Sequence, residues 1–185
     1  PLMVEIFSGS ARLAEAFAKT VYQSEGWDIL DGPEADFTNP LVVNKLSARI
    51  KSKEISVISF ALPCTTWSRA RRYGDKGPPP LRSGGFLRGL PGLTAKQQLK
   101  VDDANKLFDV TIRLIAEAAE AGVTVIFENP ETSRVFLTPE LQALVEKWGA
   151  RKLLCDFCQY GESWKKMTRF LVWNGPKDFG TMGMV

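Results

Sequence analysis

Two strand-like stretches of this chain end in side chains that could carry out covalent chemistry together. The apolar run Val57–Ala61 is followed closely by Cys64, and the apolar run Val123–Phe127 leads directly into Glu128. A thiol and a carboxylate at the ends of neighbouring strands are a nucleophile and a proton partner. The competing interpretation is a small buried cysteine and a glutamate in a strand-end turn, and residue types alone do not decide between them.

Composition narrows the classes of protein and of chemistry. The chain has 185 residues, 44% of them apolar and 24% charged, which is typical of one soluble domain with a real core. No apolar run approaches the roughly 18 residues that a membrane span needs, so no membrane partner is expected. Histidine is absent, which excludes Ser-His-Asp and Cys-His hydrolases. Proton chemistry must therefore use Asp, Glu, Lys, Tyr, Cys or water.

The three cysteines do not form a disulfide framework and indicate a reducing compartment. We therefore expect an intracellular protein, with the nucleus or a host cell among the candidate locations. Cys155 and Cys158 form a CxxC pair, but a zinc site needs about four Cys or His ligands, so no metal is expected. The sequence opens on Pro1 without a signal-peptide pattern, and we expect it to be part of a longer polypeptide.

The start of the chain predicts a strand, a tight turn and a helix. Leu2–Phe7 is an apolar run with one acid, Ser8–Ala11 is a turn of small residues, and Arg12–Val21 has helical composition. Such a turn places free backbone N–H groups at a helix N-terminus, where an anionic group of a ligand can sit. The FxGxA pattern is weak by itself, because many α/β proteins turn this way for packing alone.

Acidic residues accompany the second predicted strand. Gly26–Asp31 is typical of a strand and ends in an acid, and Asp36 and Phe37 follow after a Gly-Pro turn. An acid at the end of the second strand suits the hydroxyl pair of a ribose. The alternative is a turn aspartate that hydrogen-bonds its own backbone, which the Asp-Gly-Pro sequence favours.

Helical and strand-like patterns alternate through the rest of the chain. The predicted helices are Asn39–Lys51, Thr94–Gly122 and Thr138–Trp148, and the predicted closing strands are Lys152–Asp156 and Phe170–Trp173. The alternation predicts an α/β fold, a Rossmann-like open and mostly parallel sheet with helices on both faces. Ligands of such sheets bind beyond the carboxyl ends of the strands, where Cys64 and Glu128 are predicted to lie.

A long irregular segment, Thr65–Leu93, follows the Cys64 strand. The segment contains one acid, Asp75. Its cations are more numerous: Arg69, Arg71, Arg72, Lys76, Arg82 and Arg88. Aromatic residues lie between them, and cations with aromatics suit phosphate contact and base stacking. We therefore predict a basic loop over residues 65–93 that contacts a polyanion. The alternative is a solvated, mobile loop with scattered charges.

Several segments together resemble one family, the cytosine-5 DNA methyltransferases. In chain order they are VEIFSGSARL, the acids Asp31 and Asp36, ALPCTTWS, FENP and YGESWKKMTR. Order and spacing match from Val4 to about Trp173, and the chain is most similar to the divergent catalytic cores found beside retroelement-like coding sequences. The resemblance implies a class I methyltransferase fold, and one S-adenosylmethionine-dependent domain over residues 1–185.

The resemblance also implies roles for individual residues. The cofactor S-adenosylmethionine would be bordered by Phe7, Ser8, Gly9, Ser10, Ala11, Leu62 and Phe37, with Asp31 on the ribose hydroxyls and Asp36 on the adenine amino group. Cys64 would attack carbon 6 of a flipped cytosine, while Glu128 holds ring nitrogen 3 and the exocyclic amine. Asn129 would hold the backbone of the site and Ser68 would touch a phosphate. DNA, with RNA left open, would be bound by Arg69, Arg71, Arg72, Lys165, Lys166 and Arg169.

This sequence departs from the family pattern in several places. Ala11 replaces the second glycine of the first motif, Leu62 stands where many members have proline, and Pro130 replaces a valine. The last segment is degraded, and the sequence leaves no room for a separate target-recognition domain. The alternative is therefore a non-catalytic or partner-dependent module that binds cofactor or nucleic acid within a larger polyprotein. A third class is a pure interaction domain in which Cys64 is not catalytic.

Overall fold

One six-stranded sheet organises the residues that the computed structural model describes, namely 1–70, 77–160 and 165–177. Its strands are β1 (Leu2–Ile6), β2 (Gln23–Trp27), β3 (Ile55–Phe60), β4 (Thr124–Pro130), β5 (Arg151–Asp156) and β6 (Met167–Trp173). The α-helices are α1 (Arg12–Ala18), α2 (Pro40–Lys51), α3 (Ala95–Glu120) and α4 (Pro139–Trp148). In the described ranges, no helix is both long and apolar enough to cross a bilayer.

The strand order is β2-β1-β3-β4-β6-β5, and the first four of these strands run parallel. β6 runs antiparallel to both β4 and β5. The central strands β1, β3 and β4 are apolar and almost entirely buried, as expected for strands covered on both faces. The predicted open, mostly parallel α/β sheet is therefore confirmed.

Helices cover both faces of the sheet, also as predicted. The apolar residues of α2, α3 and α4 share the main core with Val4, Ile58 and Phe127 on one face. On the opposite face, α1 packs Ala14 against Met3 and its neighbours. The chain thus leaves β1 toward one face and enters β3 from the other. This reversal creates a crevice at the carboxyl ends of β1 and β3, where α/β folds bind ligands.

Local signals placed most helix ends correctly. Asn39 Oδ1 accepts a hydrogen bond from Leu41 N at the start of α2, and Thr94 and Gln97 form a capping box at the start of α3. Thr138 precedes α4 as predicted, but its hydroxyl donates to Val135 O and does not cap the helix. Gly149 ends α4 with a φ of 67°, the left-handed conformation that glycine adopts readily.

The boundaries of β2 and β4 differ from the predictions in ways that change the positions of candidate site residues. β2 covers Gln23–Trp27, not Gly26–Asp31, because this polar strand is held at the edge of the sheet by backbone pairing with β1. Asp28 therefore follows the strand directly, and Asp31 ends a 3-10 turn, Ile29–Asp31. β4 extends through Pro130, so that Glu128 lies inside the strand, opposite Phe170 of β6.

The basic loop was predicted to expose its cations, and the structure corrects this for two of them. Arg82 is fully buried. Arg88 is paired with Asp109 and Glu140, so its charge is already neutralised within the fold. The described parts of the loop have no helix or strand, as predicted, but they are packed into the domain through Arg82 and Trp67, both 0% exposed.

Ala11 is strained, and replacing it with glycine is expected to stabilise the domain. Its φ of 52° and ψ of 29° are left-handed, which costs a non-glycine residue about 1–2 kcal/mol. Part of this gain is offset by about 0.4–1 kcal/mol of extra entropy in the unfolded chain. We expect urea unfolding to show a net increase in the free energy of unfolding for Ala11→Gly.

The matched control for this change is Ala16→Gly, which lies on the exposed side of α1. Glycine inside a helix costs about 0.5–1 kcal/mol, so the same chemical change should have the opposite sign there. Equal destabilisation by the two substitutions would show that Ala11 is not strained.

Candidate functional site

Cys64 lies in a tight turn just beyond the carboxyl end of β3. Its carbonyl oxygen accepts hydrogen bonds from Trp67 N at 3.0 Å and from Ser68 N at 2.8 Å. The thiol is free of any disulfide and half-buried. We call residues 64–68 the Cys64 turn. The turn holds the thiol at the edge of the crevice with part of its surface open to a reactant.

Glu128 lies on β4, the strand next to β3. The two strands run parallel, with Phe60 opposite Phe127, so both end at the same edge of the sheet. Glu128 Oε1 is 3.3 Å from Lys166 Nζ of the neighbouring segment. The structure therefore places a thiol and a carboxylate at the ends of adjacent strands, and adds an ammonium group beside the carboxylate.

Asn129 links the two strand ends. Its side chain is 1% exposed, and its Nδ2 donates to Leu62 O at 2.8 Å, just before Cys64. Its Oδ1 is buried without a hydrogen-bond partner among the described residues. The amide thus holds the backbone of the loop after β3 against the end of β4. Leu62 itself, 3% exposed, lies in the main core.

The predicted phosphate contact Ser68 and the predicted nucleic-acid contact Arg69 lie at the end of the Cys64 turn. Ser68 Oγ accepts a hydrogen bond from Ala70 N at 3.1 Å, and the Arg69 side chain is exposed. Arg71 and Arg72, which were predicted to bind nucleic acid, lie outside the described residues. A residue that was not predicted, Arg134, joins this group by donating from Nη1 to Ser68 O at 3.2 Å.

The remaining predicted cations have acidic partners. Lys165 pairs with Asp156. Arg169 donates hydrogen bonds from Nε and Nη2 to the two carboxylate oxygens of Glu131. Its guanidinium carbon lies 4.3 Å from the centroid of the Phe136 ring. In strands, successive side chains point to opposite faces. Because Phe170 is opposite Glu128, its neighbour Arg169 points to the other face of the sheet, away from Glu128.

The turn after β1 lies at the same edge as Cys64, across the β1–β3 crevice. Phe7, Gly9 and Ala11 all have positive φ, and Phe7 N and Ser8 N both donate to Trp27 O. A Cβ built on Gly9 would meet no atom within 4 Å, so open space lies above the turn. Ser8 Oγ is buried without a partner among the described residues, and Ser10 is exposed.

Acidic residues line the ribose and adenine side predicted for a cofactor, with one correction. Asp28, not Asp31, follows the second strand, and its Oδ2 accepts from Gly9 N at 2.9 Å. Asp31 is exposed, and its Oδ2 accepts from Asp28 N at 3.2 Å. Asp36 Oδ1 accepts from Thr38 N and Thr38 Oγ1, and these hydrogen bonds lower the pKa of Asp36.

A small cavity adjoins this turn. It has a volume of about 240 Å³ and is lined by Gly26, Trp27, Asp31, Glu34, Ala35 and Lys45. Gly26 connects it to the turn, because a Cβ there would lie 3.0 Å from Ala11 Cβ and 3.1 Å from Ser8 Oγ. Phe37 is 2% exposed and packs edge-on against Phe7, with 5.4 Å between the ring centroids. Its ring is therefore buried next to the turn, directly after Asp36 in the chain.

Glu5 is a buried acid that sequence reasoning did not single out. It is 6% exposed in the middle of β1, and its Oε2 accepts from Ala14 N at 2.8 Å. Burial raises the pKa of Glu5, the Ala14 hydrogen bond lowers it, and the negative charge of Glu128 raises it further. One acid in an otherwise apolar strand was the available signal. No local pattern marked Asp28 or Arg134.

The described residues contain no group of three or more Cys, Asp or Glu side chains that could hold a metal ion. No protein-family model matches the sequence, and no curated protein sequence matches it either.

A similar fold occurs among the solved structures. The crystal structure of S. pombe Dnmt2 methyltransferase aligns with a TM-score of 0.53 and 12% sequence identity. The alignment covers all of this chain and 56% of that protein, so the chain spans about half the length of its structural neighbour. At this identity the likeness concerns the fold alone, and it agrees with the sheet described above. The chain has a class I methyltransferase fold.

Proposed function

We propose that the chain is the catalytic core of an S-adenosylmethionine-dependent DNA cytosine-5 methyltransferase. The observation that carries the proposal is the placement of Cys64 and Glu128 at the ends of adjacent parallel strands, tied together by Asn129. This arrangement lies beside the switch-point crevice where α/β folds bind ligands. The methyltransferase fold supports the same class of reaction.

In the proposed reaction, the Cys64 sulfur forms a bond to carbon 6 of a cytosine that has been flipped out of the duplex. The electron pair of the 5,6 double bond moves toward carbon 5, and Glu128 stabilises the ring by holding nitrogen 3 and the exocyclic amine. Carbon 5 would take the methyl group supplied by S-adenosylmethionine, whose bond from sulfur to methyl breaks to leave S-adenosylhomocysteine, and carbon 5 would then lose its proton to a base. The sulfur leaves carbon 6, and the double bond re-forms.

Lys166 gives Glu128 a defined orientation in this scheme. Its Nζ lies 3.3 Å from Oε1 of the carboxylate. We therefore assign Lys166 to the reaction site itself, in contrast to its predicted role on the nucleic-acid backbone.

Polar groups on the cofactor side of the crevice support binding of S-adenosylmethionine, which would supply an activated methyl group when bound. The orphan hydroxyl of Ser8 and the open space over Gly9 offer room and a polar contact beside the turn. Asp31 and Asp36 supply carboxylates for hydroxyl and amino groups. Asp28 is the further candidate for the ribose hydroxyls, because it follows β2 directly.

A partner-dependent module is the alternative function. The cavity beside the turn, about 240 Å³, is smaller than the roughly 300 Å³ at the lower end of small-molecule pockets. A partner chain, or another domain of a parent polyprotein, could complete the cofactor site and supply target recognition. Under this alternative the chain alone binds cofactor weakly and gains affinity when the partner is added.

Binding of S-adenosylhomocysteine, measured by calorimetry, tests the proposal directly. We expect binding by the wild-type chain and a loss of about tenfold or more for Asp36→Ala, since a hydrogen bond to a charged group is worth about 1.5–3 kcal/mol. Asp28→Asn and Asp31→Asn, measured in parallel, show which acid holds the ribose. The control is Asp103→Asn, which changes an exposed carboxylate on α3.

The possible results separate the parts of the proposal. Unchanged affinity in Asp36→Ala would contradict its placement at the adenine. Binding that no acid substitution weakens would contradict the whole assignment of this crevice. Absence of binding to the wild-type chain would reduce the methyltransferase assignment to a likeness of fold.

A further inference from the structure

Arg134 is fixed over the Cys64 turn by two contacts. It lies in the 3-10 turn Arg134–Leu137 that follows β4, and it is half-buried. Its backbone N donates to Trp67 O at 3.0 Å, and its Nη1 donates to Ser68 O at 3.2 Å. The guanidinium is therefore held at the end of the turn that begins with Cys64.

Arg69 places a second positive charge next to Arg134. Burial lowers the pKa of Arg134, and the charge of Arg69 lowers it further. Among the residues that the structure describes, neither Arg69 nor Arg134 has a carboxylate partner. Arg49, Arg88 and Arg169, in contrast, all form ion pairs. Within the described ranges, the fold thus brings two like charges together without a carboxylate partner for either.

The guanidinium of Arg134 also keeps hydrogen-bond donors for a ligand. An arginine side chain has five N–H donors in a planar fork, and within the described ranges only Nη1 of Arg134 has a partner. Guanidinium forks match the oxygens of a phosphate, and two adjacent forks can share one anion. Because Arg134 is already oriented by Ser68 O, little side-chain freedom is lost when an anion binds.

We propose that Arg134 and Arg69 form a binding site for a backbone phosphate of nucleic acid at the end of the Cys64 turn. The identity of the ligand rests on the proposed function, whereas the site rests on two adjacent guanidinium groups that have no carboxylate partner among the described residues. A phosphate held there would lie on the same turn as the nucleophile. The site would therefore fix the register of the strand relative to Cys64 without reading its sequence.

The test is the salt dependence of binding to a fluorescent DNA duplex, followed by anisotropy. Each phosphate contact contributes about 0.9 to the slope of log affinity against log salt concentration, so we expect either Arg134→Gln or Arg69→Gln to reduce the slope by up to about 1. Because both side chains hold the same phosphate, the double variant should reduce the slope by about 1 in total. Affinity should fall equally for duplexes of different sequence. Arg134→Lys keeps the charge and should restore the slope, which a purely structural role would not do.

Arg113→Gln is the matched control, because Arg113 is a partly exposed arginine on α3 that pairs with Glu117. It should leave the slope unchanged. Thermal unfolding of each variant identifies any loss of fold. If folded Arg134→Gln binds DNA like Arg113→Gln, or if the wild-type chain binds no duplex at low salt, the site is refuted. If polyglutamate binds as tightly as DNA and its binding also depends on Arg134, the assignment of the site to nucleic acid is refuted.

Binding of S-adenosylhomocysteine distinguishes failure of this site from failure of the proposed function. A chain that binds S-adenosylhomocysteine but whose DNA binding ignores Arg134 keeps the methyltransferase proposal and loses the phosphate site. A chain that binds DNA through Arg134 but does not bind S-adenosylhomocysteine keeps the phosphate site and loses the methyltransferase proposal.

Discussion

Replacing Cys64 with serine is expected to abolish methyl transfer while leaving S-adenosylhomocysteine binding unchanged. A serine hydroxyl is a weak nucleophile without an adjacent base, and the chain has no histidine to activate it. Loss of a covalent nucleophile typically lowers turnover by about 10⁴-fold or more. The measurement is transfer of a labelled methyl group from S-adenosylmethionine to duplex DNA, with the target-recognition partner added if the chain requires one.

Cys158→Ser provides the control, since Cys158 is an exposed free thiol remote in sequence from the Cys64 turn. It should keep both methyl transfer and the ability to be trapped on DNA that contains 5-fluorocytosine, whereas Cys64→Ser should lose both. Methyl transfer by Cys64→Ser at the wild-type rate would eliminate the covalent mechanism. A trapped adduct on any cysteine other than Cys64 would show that this other cysteine is the nucleophile.

The central sheet was predictable because burial on both faces leaves a clear mark on a sequence. β1 and β3 were predicted nearly correctly because their apolar runs coincide with the buried segments. Each strand ends only one residue earlier than predicted. β2 was misplaced because it lies at an edge and alternates little: its residues are held by pairing with β1 more than by burial. Ile29 and Leu30, which suggested a strand, are instead exposed, at 57% and 84%.

The site was predictable only where its residues end strands. Cys64, Glu128 and Asn129 follow or finish apolar runs, so the parallel topology brings them to one edge. Arg134 reaches the same site through a 3-10 turn, and no spacing rule connects it with Ser68, which is 66 residues away in sequence. Contacts of this kind depend on how loops cross the edge of the sheet, which hydrophobic periodicity does not describe.

Charge was the least reliable guide in the basic loop. The sequence made Arg82 and Arg88 equivalent to Arg69, but their surroundings differ completely. Arg88 lies among acids and Arg69 is exposed, whereas Arg82 is buried against an indole ring. A long side chain with an apolar stem can serve a core as well as a surface, so composition alone cannot assign it.

The buried guanidinium of Arg82 is expected to be one of the largest single contributors to the stability of the domain. It lies 3.6 Å from the centroid of the Trp67 ring and donates to Thr66 Oγ1, to Leu87 O at 2.6 Å and to Asn105 Oδ1 at 2.8 Å. It therefore joins the Cys64 turn, the rest of the basic loop and α3. Burial lowers the pKa of Arg82 to about 10, so the group remains charged at neutral pH.

Arg82→Ala should reduce the free energy of unfolding by about 3–5 kcal/mol, because it leaves a cavity and each buried acceptor that loses its donor costs about 1–3 kcal/mol. Removing the buried charge recovers part of this loss. Arg82→Met, which fills the space without the charge, should therefore cost less than Arg82→Ala. Urea unfolding measures both, and Arg113→Ala on the surface of α3 is the control, with an expected cost below about 1 kcal/mol.

The order of these variants decides what Arg82 contributes. If Arg82→Met equals Arg82→Ala, the hydrogen bonds matter and the packing does not. If Arg82→Met equals the wild type, the guanidinium acts as a filler over Trp67, and the Cys64 turn does not depend on its donors. An Arg82→Ala variant no less stable than Arg113→Ala would show that this loop is not anchored to α3 in solution. In that case the position of Cys64 would depend on Asn129, Arg134 and the packing of Trp67.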